Sequence, residues 1–312
     1  MQLNKENTRI ETKGLVMVAM KQEKIGTRNG ASTVHDVMSL AMDLTDVRSS
    51  VRGRGRYVPT GYVGYDQRAK GLALGKLSII GSRAGEGHDV LSLDIARHAA
   101  AADVPSCFFC PDKSAIEIGR RIMSAEAGVP METLFSGNDL DEEESVLCDA
   151  AYSLCERMPL YIKAGRSMDA DCIAETCRGL KQTSGLKLVV VDGLPSIVDH
   201  VDDEPRVLEQ FSELARDLDV AVVLTDLATR GPLRKPGLGN LINGKAECRY
   251  ADAILFVYRP EFKCACGGDA NKAELMVLKH PWIQPYTLNS VSSPNTRDSR
   301  ITDLLRPDAQ FW

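Results

Sequence analysis

The sequence predicts an α/β fold, a mostly parallel central sheet with helices on both faces. Three observations carry that expectation. Short apolar runs alternate with stretches of helical periodicity along most of the chain, the pattern of strands buried on both faces and joined by crossover helices. Residues 77–102, LSIIGSRAGEGHDVLSLDIARHAAAA, read as an apolar strand, a glycine-bearing loop and a helix. Such a loop cradles an anion with backbone N–H groups and a helix N-terminus. A second apolar run, LKLVVVD at 186–192, closes on a carboxylate.

In chain order, residues 1–30 are polar and read as an extension. Residues 31–47 place Val34, Val37, Met38, Ala41 and Leu44 at helical spacing, with Thr33 and Asp36 as a capping box. A basic linker follows, Arg48, Arg52, Arg54 and Arg56 around Gly53 and Gly55; a solvated linker and a phosphate contact both suit it. A compact domain begins at Tyr57, with turns at 59–61 and around Gly71 and Gly75. The first strand, 77–80, leads through the loop at 81–87 into a helix from about Asp89. A strand at 106–110 precedes a helix at 114–125. The acidic run 139–144 opens a helix to about Arg157, its carboxylates suited to the positive end of the helix dipole. Then come a strand at 160–162, a helix at 169–183, the strand at 186–192, a helix at 204–218 and a strand at 220–225. Three more strands are expected at 253–258, 274–279 and 286–290. There is no internal repeat.

A chain of 312 residues suffices for one large core or two domains. With 44% hydrophobic and 26% charged residues it has the composition of a soluble globular protein. Its formal net charge of −5 means that any nucleic-acid contact must come from a local basic patch. No apolar run reaches the roughly 18 to 20 residues of a membrane helix, and Glu6 and Glu11 upstream of the apolar stretch 14–20 argue against a signal peptide. Nine scattered cysteines, an odd number, suggest reduced thiols and a cytoplasmic protein. Cys107 and Cys110 share a predicted strand and point to opposite faces. Cys264 and Cys266 lie in a loop, and no metal site is expected at either pair.

The phosphate-loop consensus is G-x-x-x-x-G-K-[ST]. Its eight positions run here from Ser82 to Asp89, with Gly85 and Gly87 as candidate backbone cradles. His88 stands at the lysine position and Asp89 at that of the Mg²⁺-facing hydroxyl. An unperturbed histidine is mostly neutral at pH 7. Asp89 and Glu86 bring negative charge towards a triphosphate, and like charges about 4 Å apart cost about 4 kcal/mol at an effective dielectric near 20.

The ordered motifs from residue 31 to 290 resemble the motor domain of DnaB-type replicative helicases. The resemblance rests on Pro59-Thr60-Gly61 leading to Gly71-Leu72 and the 77–80 strand, on 108–124 ending in Arg121-Ile122-Met123-Ser124, on Met158-Pro159-Leu160-Tyr161-Ile162, on 185–192, and on the stretches 251–259 and 273–279. It implies a RecA-like P-loop NTPase fold, divided as extension 1–30, linker helix and basic linker 31–56, and RecA-like domain 57–312. It implies a ring, hexameric in the family, in which the linker helix docks on a neighbouring subunit, and a partner in single-stranded DNA or a related helicase. No stretch matches the family's N-terminal collar domain. ATP and Mg²⁺ are the cofactors if the nucleotide site functions.

Carried over position by position, the catalytic glutamate corresponds to Asp112, which also suits a cap on the next helix. The Walker B carboxylate corresponds to Asp192, and the lysine that precedes the arginine finger by two residues to Lys279. The finger itself is replaced by Pro281 and the glutamine sensor by Asp226. Phosphoryl-transfer enzymes owe about 10³- to 10⁵-fold in rate to such an arginine. The loop after the 186–192 strand is acidic, the wrong sign for phosphate contact. The basic loop 230–235, with Arg230, Arg234 and Lys235, aligns with a DNA-binding loop and equally suits a solvated one. The expectation is a degenerate homologue with little or no ATPase, binding DNA or a helicase in replication. Two alternatives stand beside it: an active ATP-dependent helicase with an unusual site, and a RecA-like binding module outside replication.

Overall fold

The computed structural model describes residues 56–136, 140–166, 168–198, 200–228, 235–241, 244–259, 272–292 and 301–303. The chain divides into two compact units at Tyr57 and Val58; of the first, only Arg56 and Tyr57 are described. The helix expected at 31–47, the linker arginines before Arg56, the Cys264–Cys266 loop, Arg230 and Arg234 all lie outside the described residues.

The described elements run β1 (Tyr57–Val58), α1 (Val63–Ala69), β2 (Leu72–Ala73), β3 (Leu77–Ser82), α2 (His88–Ala101), β4 (Ser106–Cys110), α3 (Ala115–Ala127), α4 (Met131–Ser136) and α5 (Glu142–Cys155). They continue β5 (Leu160–Ala164), α6 (Ala170–Ser184), β6 (Leu188–Val191), α7 (Glu204–Leu218), β7 (Ala221–Leu227), α8 (Gly244–Tyr250), β8 (Ala253–Tyr258), β9 (Lys272–Lys279), β10 (Tyr286–Ser292) and β11 (Ile301–Asp303). Among the described residues nine strands form one sheet in the order β11-β10-β9-β8-β3-β7-β6-β4-β5. From β8 to β5 every pairing is parallel. The last three strands are added antiparallel.

The core is two layers, one on each sheet face, because alternate strand residues point to opposite sides. Ile80, Phe108, Cys110, Val190, Val223 and Leu255 join one layer, with Leu91 and Ile95 of α2 and Ile118 and Ile122 of α3. Ile79, Cys107, Phe109, Val191, Leu224 and Phe256 join the other, with Ile173 and Cys177 of α6 and Val207, Leu208 and Phe211 of α7. Cys107 and Cys110 thus lie on opposite faces, and burial pushes their thiols up to about 12 and about 11.

Helix ends follow local chemistry. Ser114 and Asp169 cap α3 and α6 by accepting from the Glu117 and Cys172 backbone N–H groups. Asp141 and Glu144 close a capping box on α5, which is how the acidic run opens that helix. Gly81, in the middle of the sheet, admits no side chain: a Cβ there would lie 2.6 Å from Phe256 Cε2.

Candidate functional site

The loops leaving the carboxyl ends of β3, β4 and β6 meet at one edge of the sheet, the edge where open α/β sheets hold ligands. The loop after β3 turns through Gly85 and Gly87, with φ of +82° and +103°, a region that favours glycine. Gly87 caps α2, and its carbonyl accepts from Leu91 N at 3.0 Å. Inside the loop the nearly buried Arg83 and Glu86 form an ion pair, Nη1 to Oε1 at 3.3 Å. Glu86 therefore spends one carboxylate oxygen on Arg83.

His88 opens α2 with its Nδ1 2.6 Å from Ser82 Oγ. The Ser82 hydroxyl donates to Arg83 O at 2.9 Å, so its single proton is committed and His88 Nδ1 acts as the donor.

Asp89 has two cationic neighbours: Arg121 Nη1 at 3.4 Å and Lys113 Nζ at 3.8 Å from its Oδ2. The like-charge repulsion expected from Asp89 and Glu86 is thus offset by pairing within the chain. Lys113 also reaches Asp192, Nζ to Oδ2 at 3.1 Å. Asp192 is buried; its Oδ1 accepts from Thr225 Oγ1 at 2.9 Å, and Oδ2 from Cys110 Sγ at 3.6 Å. Burial works against the Lys113 charge, but the carboxylates, Asp192 foremost, outweigh it and hold the ammonium above its ordinary pKa.

Asp112 is exposed beside this cluster, with Oδ2 accepting from Ser196 Oγ at 2.6 Å. A Cβ on Gly193 would come within 3.2 Å of the same oxygen, which places Asp112 against the residue after Asp192. The structure therefore gathers Gly85, Gly87, His88, Asp89, Asp112 and Asp192 at one edge.

Lys279 lies elsewhere. It pairs in register with Ile254 near the start of β8, at the opposite edge of the sheet. Its Nζ donates to the carbonyls of Cys248 and Ala251 at 2.6 Å each, closing the end of α8. Lys235 is the one described residue of the three basic-loop candidates, and its Nζ is 2.5 Å from Glu274 Oε2.

Among the described residues, Glu204, Asp226 and Glu247 bring carboxylate oxygens within 4.8 Å of one another, all three buried. Burial pushes the Asp226 carboxyl above its usual range, against the opposing influence of Glu247, the Leu227 N–H and His88. Sequence reasoning assigned no role to Lys113, Arg121, Ser82 or Thr225. A lysine three residues after a strand that ends at the ligand edge was the available signal for Lys113.

The family model described as the DnaB-like helicase C terminal domain matches residues 57–282. The chain is similar to the replicative DNA helicase DnaB of Leifsonia xyli subsp. xyli (strain CTCB07), 30% identical over 283 residues that cover 85% of this chain and 62% of that protein. It is similar to the replicative DNA helicase DnaC of Bacillus subtilis (strain 168), 23% identical over 279 residues that cover 86% of this chain and 60% of that one. The chain thus spans about three fifths of the length of these relatives. Among solved structures, an ATPase domain superposes with a TM-score of 0.76 at 17% identity, covering 85% of this chain and 98% of its own. A DnaB-like replicative helicase, solved in a study of its interactions with primase, gives 0.75 at 16% identity, covering 95% and 76%. The shared fold is the RecA-like α/β architecture expected from the sequence. No helix among the described residues is long and apolar enough to cross a membrane.

Proposed function

The chain belongs to the DnaB-like helicase C-terminal domain family, and from that premise we propose that it serves DNA replication as a motor-domain homologue with little or no ATPase activity. In this reading it binds DNA or helicase subunits in the cytoplasm. Its parts are an extension at 1–30, a linker helix and basic linker at 31–56, and a RecA-like domain from 57 onward.

One observation carries the reading. Of the two phosphate-loop positions that handle charge, His88 has Nδ1 bonded to Ser82, and Asp89 is paired with Arg121 and Lys113. Phosphate-loop enzymes place a lysine and a hydroxyl there, on the β/γ-phosphates and Mg²⁺. Mg²⁺–ATP, the group the family implies, does not fit that donor set. The arginine-finger and glutamine positions, Pro281 and Asp226, point the same way. Calorimetry with ATP and Mg²⁺ is the test. Absence of low-micromolar binding is expected, and tight binding overturns the reading.

Assembly is a separate limb of the proposal. The amphipathic segment 31–47 docks on another subunit of a ring, a hexamer by analogy, or on a related helicase. Arg230, Arg234 and Lys235 are the proposed contacts to single-stranded DNA. Removing residues 1–47 should lower the mass seen by light scattering or abolish partner capture; a truncated chain that keeps both sinks this limb. The alternative, a working motor, draws its support from Asp112 and Asp192, two carboxylates kept at the ligand edge.

A further inference from the structure

In phosphate-loop enzymes a divalent metal is held between a hydroxyl in the first turn of the loop's helix and a carboxylate at the end of another strand of the sheet. Asp89 and Asp192 occupy those two places here. The gap between them is already bridged: Lys113 Nζ is 3.1 Å from Asp192 Oδ2 and 3.8 Å from Asp89 Oδ2. We propose that Lys113 is a built-in cation that takes the place of the divalent metal and closes this edge of the sheet to Mg²⁺. The inference rests on the reading above that Mg²⁺–ATP does not fit the loop.

The charge arrangement supports it. Asp192 is almost fully buried, and each of its oxygens is met by a protein donor, Oδ1 by Thr225 and Oδ2 by Lys113 and Cys110. Mg²⁺ demands near-octahedral oxygen ligands at about 2.0–2.1 Å and gives up its waters reluctantly. To reach Asp192 Oδ2 it would have to displace the ammonium, and beside it stands a second cation, Arg121, whose Nη1 is 3.4 Å from Asp89 Oδ2. Positive centres held a few ångströms apart in a partly buried site repel one another. The lysine belongs to the chain and has no diffusional entropy to lose, so the metal competes against an intramolecular partner. Lys113 comes from the loop after β4, while the two carboxylates come from the segments after β3 and β6. Its ammonium therefore ties three loops together as a metal otherwise would.

The test uses the full chain and Mn²⁺ as an electron paramagnetic resonance probe. Wild type is expected to bind no Mn²⁺ that Asp192→Asn removes. Lys113→Met leaves Asp192 without its cation and Asp89 with Arg121 alone, and should gain Mn²⁺ affinity at least tenfold. Adding Asp192→Asn should cancel the gain, and Lys113→Arg, which keeps the charge, should show none. Mn²⁺ bound by wild type and released by Asp192→Asn overturns the proposal, as does a folded Lys113→Met chain with no gain. If Lys113→Met fails to fold, the wild-type titration alone still decides. The two readings fail separately. Wild type that binds ATP tightly and equally in EDTA and in Mg²⁺ sinks the weak-binding reading and leaves the built-in cation standing. Wild type that holds Mn²⁺ at Asp192 and ignores ATP does the reverse.

Discussion

The Thr225 hydroxyl donates to Asp192 Oδ1 over 2.9 Å and accepts from the Gly193 backbone N–H over 2.8 Å. One buried side chain thus fixes both the carboxylate that ends the β6 segment and the first turn after it. Thr225→Val keeps the shape and removes both bonds. A hydrogen bond to a charged group contributes about 1.5–3 kcal/mol, so a loss of that order is expected in urea unfolding. A midpoint equal to wild type would mean that the carboxylate is held by Lys113, Cys110 and Ser92 without help from Thr225.

A second prediction concerns the buried charges on α2. Arg97 contacts Asp94 at 2.8 Å and also Glu126, and Tyr62 OH donates to Asp94. Both carboxylates hold the Arg97 guanidinium above its ordinary pKa, against its burial. Arg97→Met leaves two carboxylates without their cation and should destabilise the fold by about 3–5 kcal/mol. The further change Asp94→Leu should recover part of that loss. Equal thermal midpoints for wild type and Arg97→Met would refute the prediction.

Asp226 gives a pH signature. Its carboxyl is raised above the usual value of 3.8 by burial. A raised folded-state pKa means the folded chain holds a proton the unfolded chain has lost. The resulting stabilisation is complete below pH 3.8, and it disappears as pH rises through the folded-state value. Asp226→Asn stays neutral throughout. The variant should therefore gain on wild type as pH climbs from 4 to 7, and parallel stability curves over that range would count against a raised Asp226.

Restoring the missing groups tests the loop itself. His88→Lys with Asp89→Thr moves local charge by about two units towards positive, worth several kcal/mol to a polyanion at an effective dielectric near 20. Nucleotide affinity should rise at least tenfold, about 1.4 kcal/mol. With Lys113 intact the gain should appear in EDTA as well as in Mg²⁺. Turnover should stay low, because Pro281 and Asp226 are unchanged. A folded double variant with no gain would mean that the loop does not cradle phosphate.

Several elements were legible because their signals are local. The apolar run SCFFC between Pro105 and a second proline gave β4 its bounds, Ser106–Cys110. The spacing of Val207, Leu208 and Phe211 gave α7, Glu204–Leu218. The short helices were not legible. Met131–Ser136 buries none of its residues and so carries no periodic apolar face. Val63–Ala69 hides Tyr65 in the short stretch between the turns expected at 59–61 and around Gly71. Within the candidate site, the carboxylates could be placed because strand ends mark them. The Lys113 pairing could not, since an ion pair spanning 79 residues of sequence leaves no local trace.

The central strand β3 depends on partners made much later in the chain. It is flanked by β7 on one side and β8 on the other, and Leu77 N donates to Asp252 Oδ2, 175 residues away. On an emerging nascent chain the phosphate loop is finished long before the strands that hold it in place. Non-local pairing of this kind slows folding, because the entropy of closing a long loop must be met before any contact compensates it. Until β8 has been synthesised, the apolar residues Leu77, Ile79 and Ile80 have no sheet neighbours on that side, so premature release from the ribosome should leave a species prone to aggregation and dependent on chaperones.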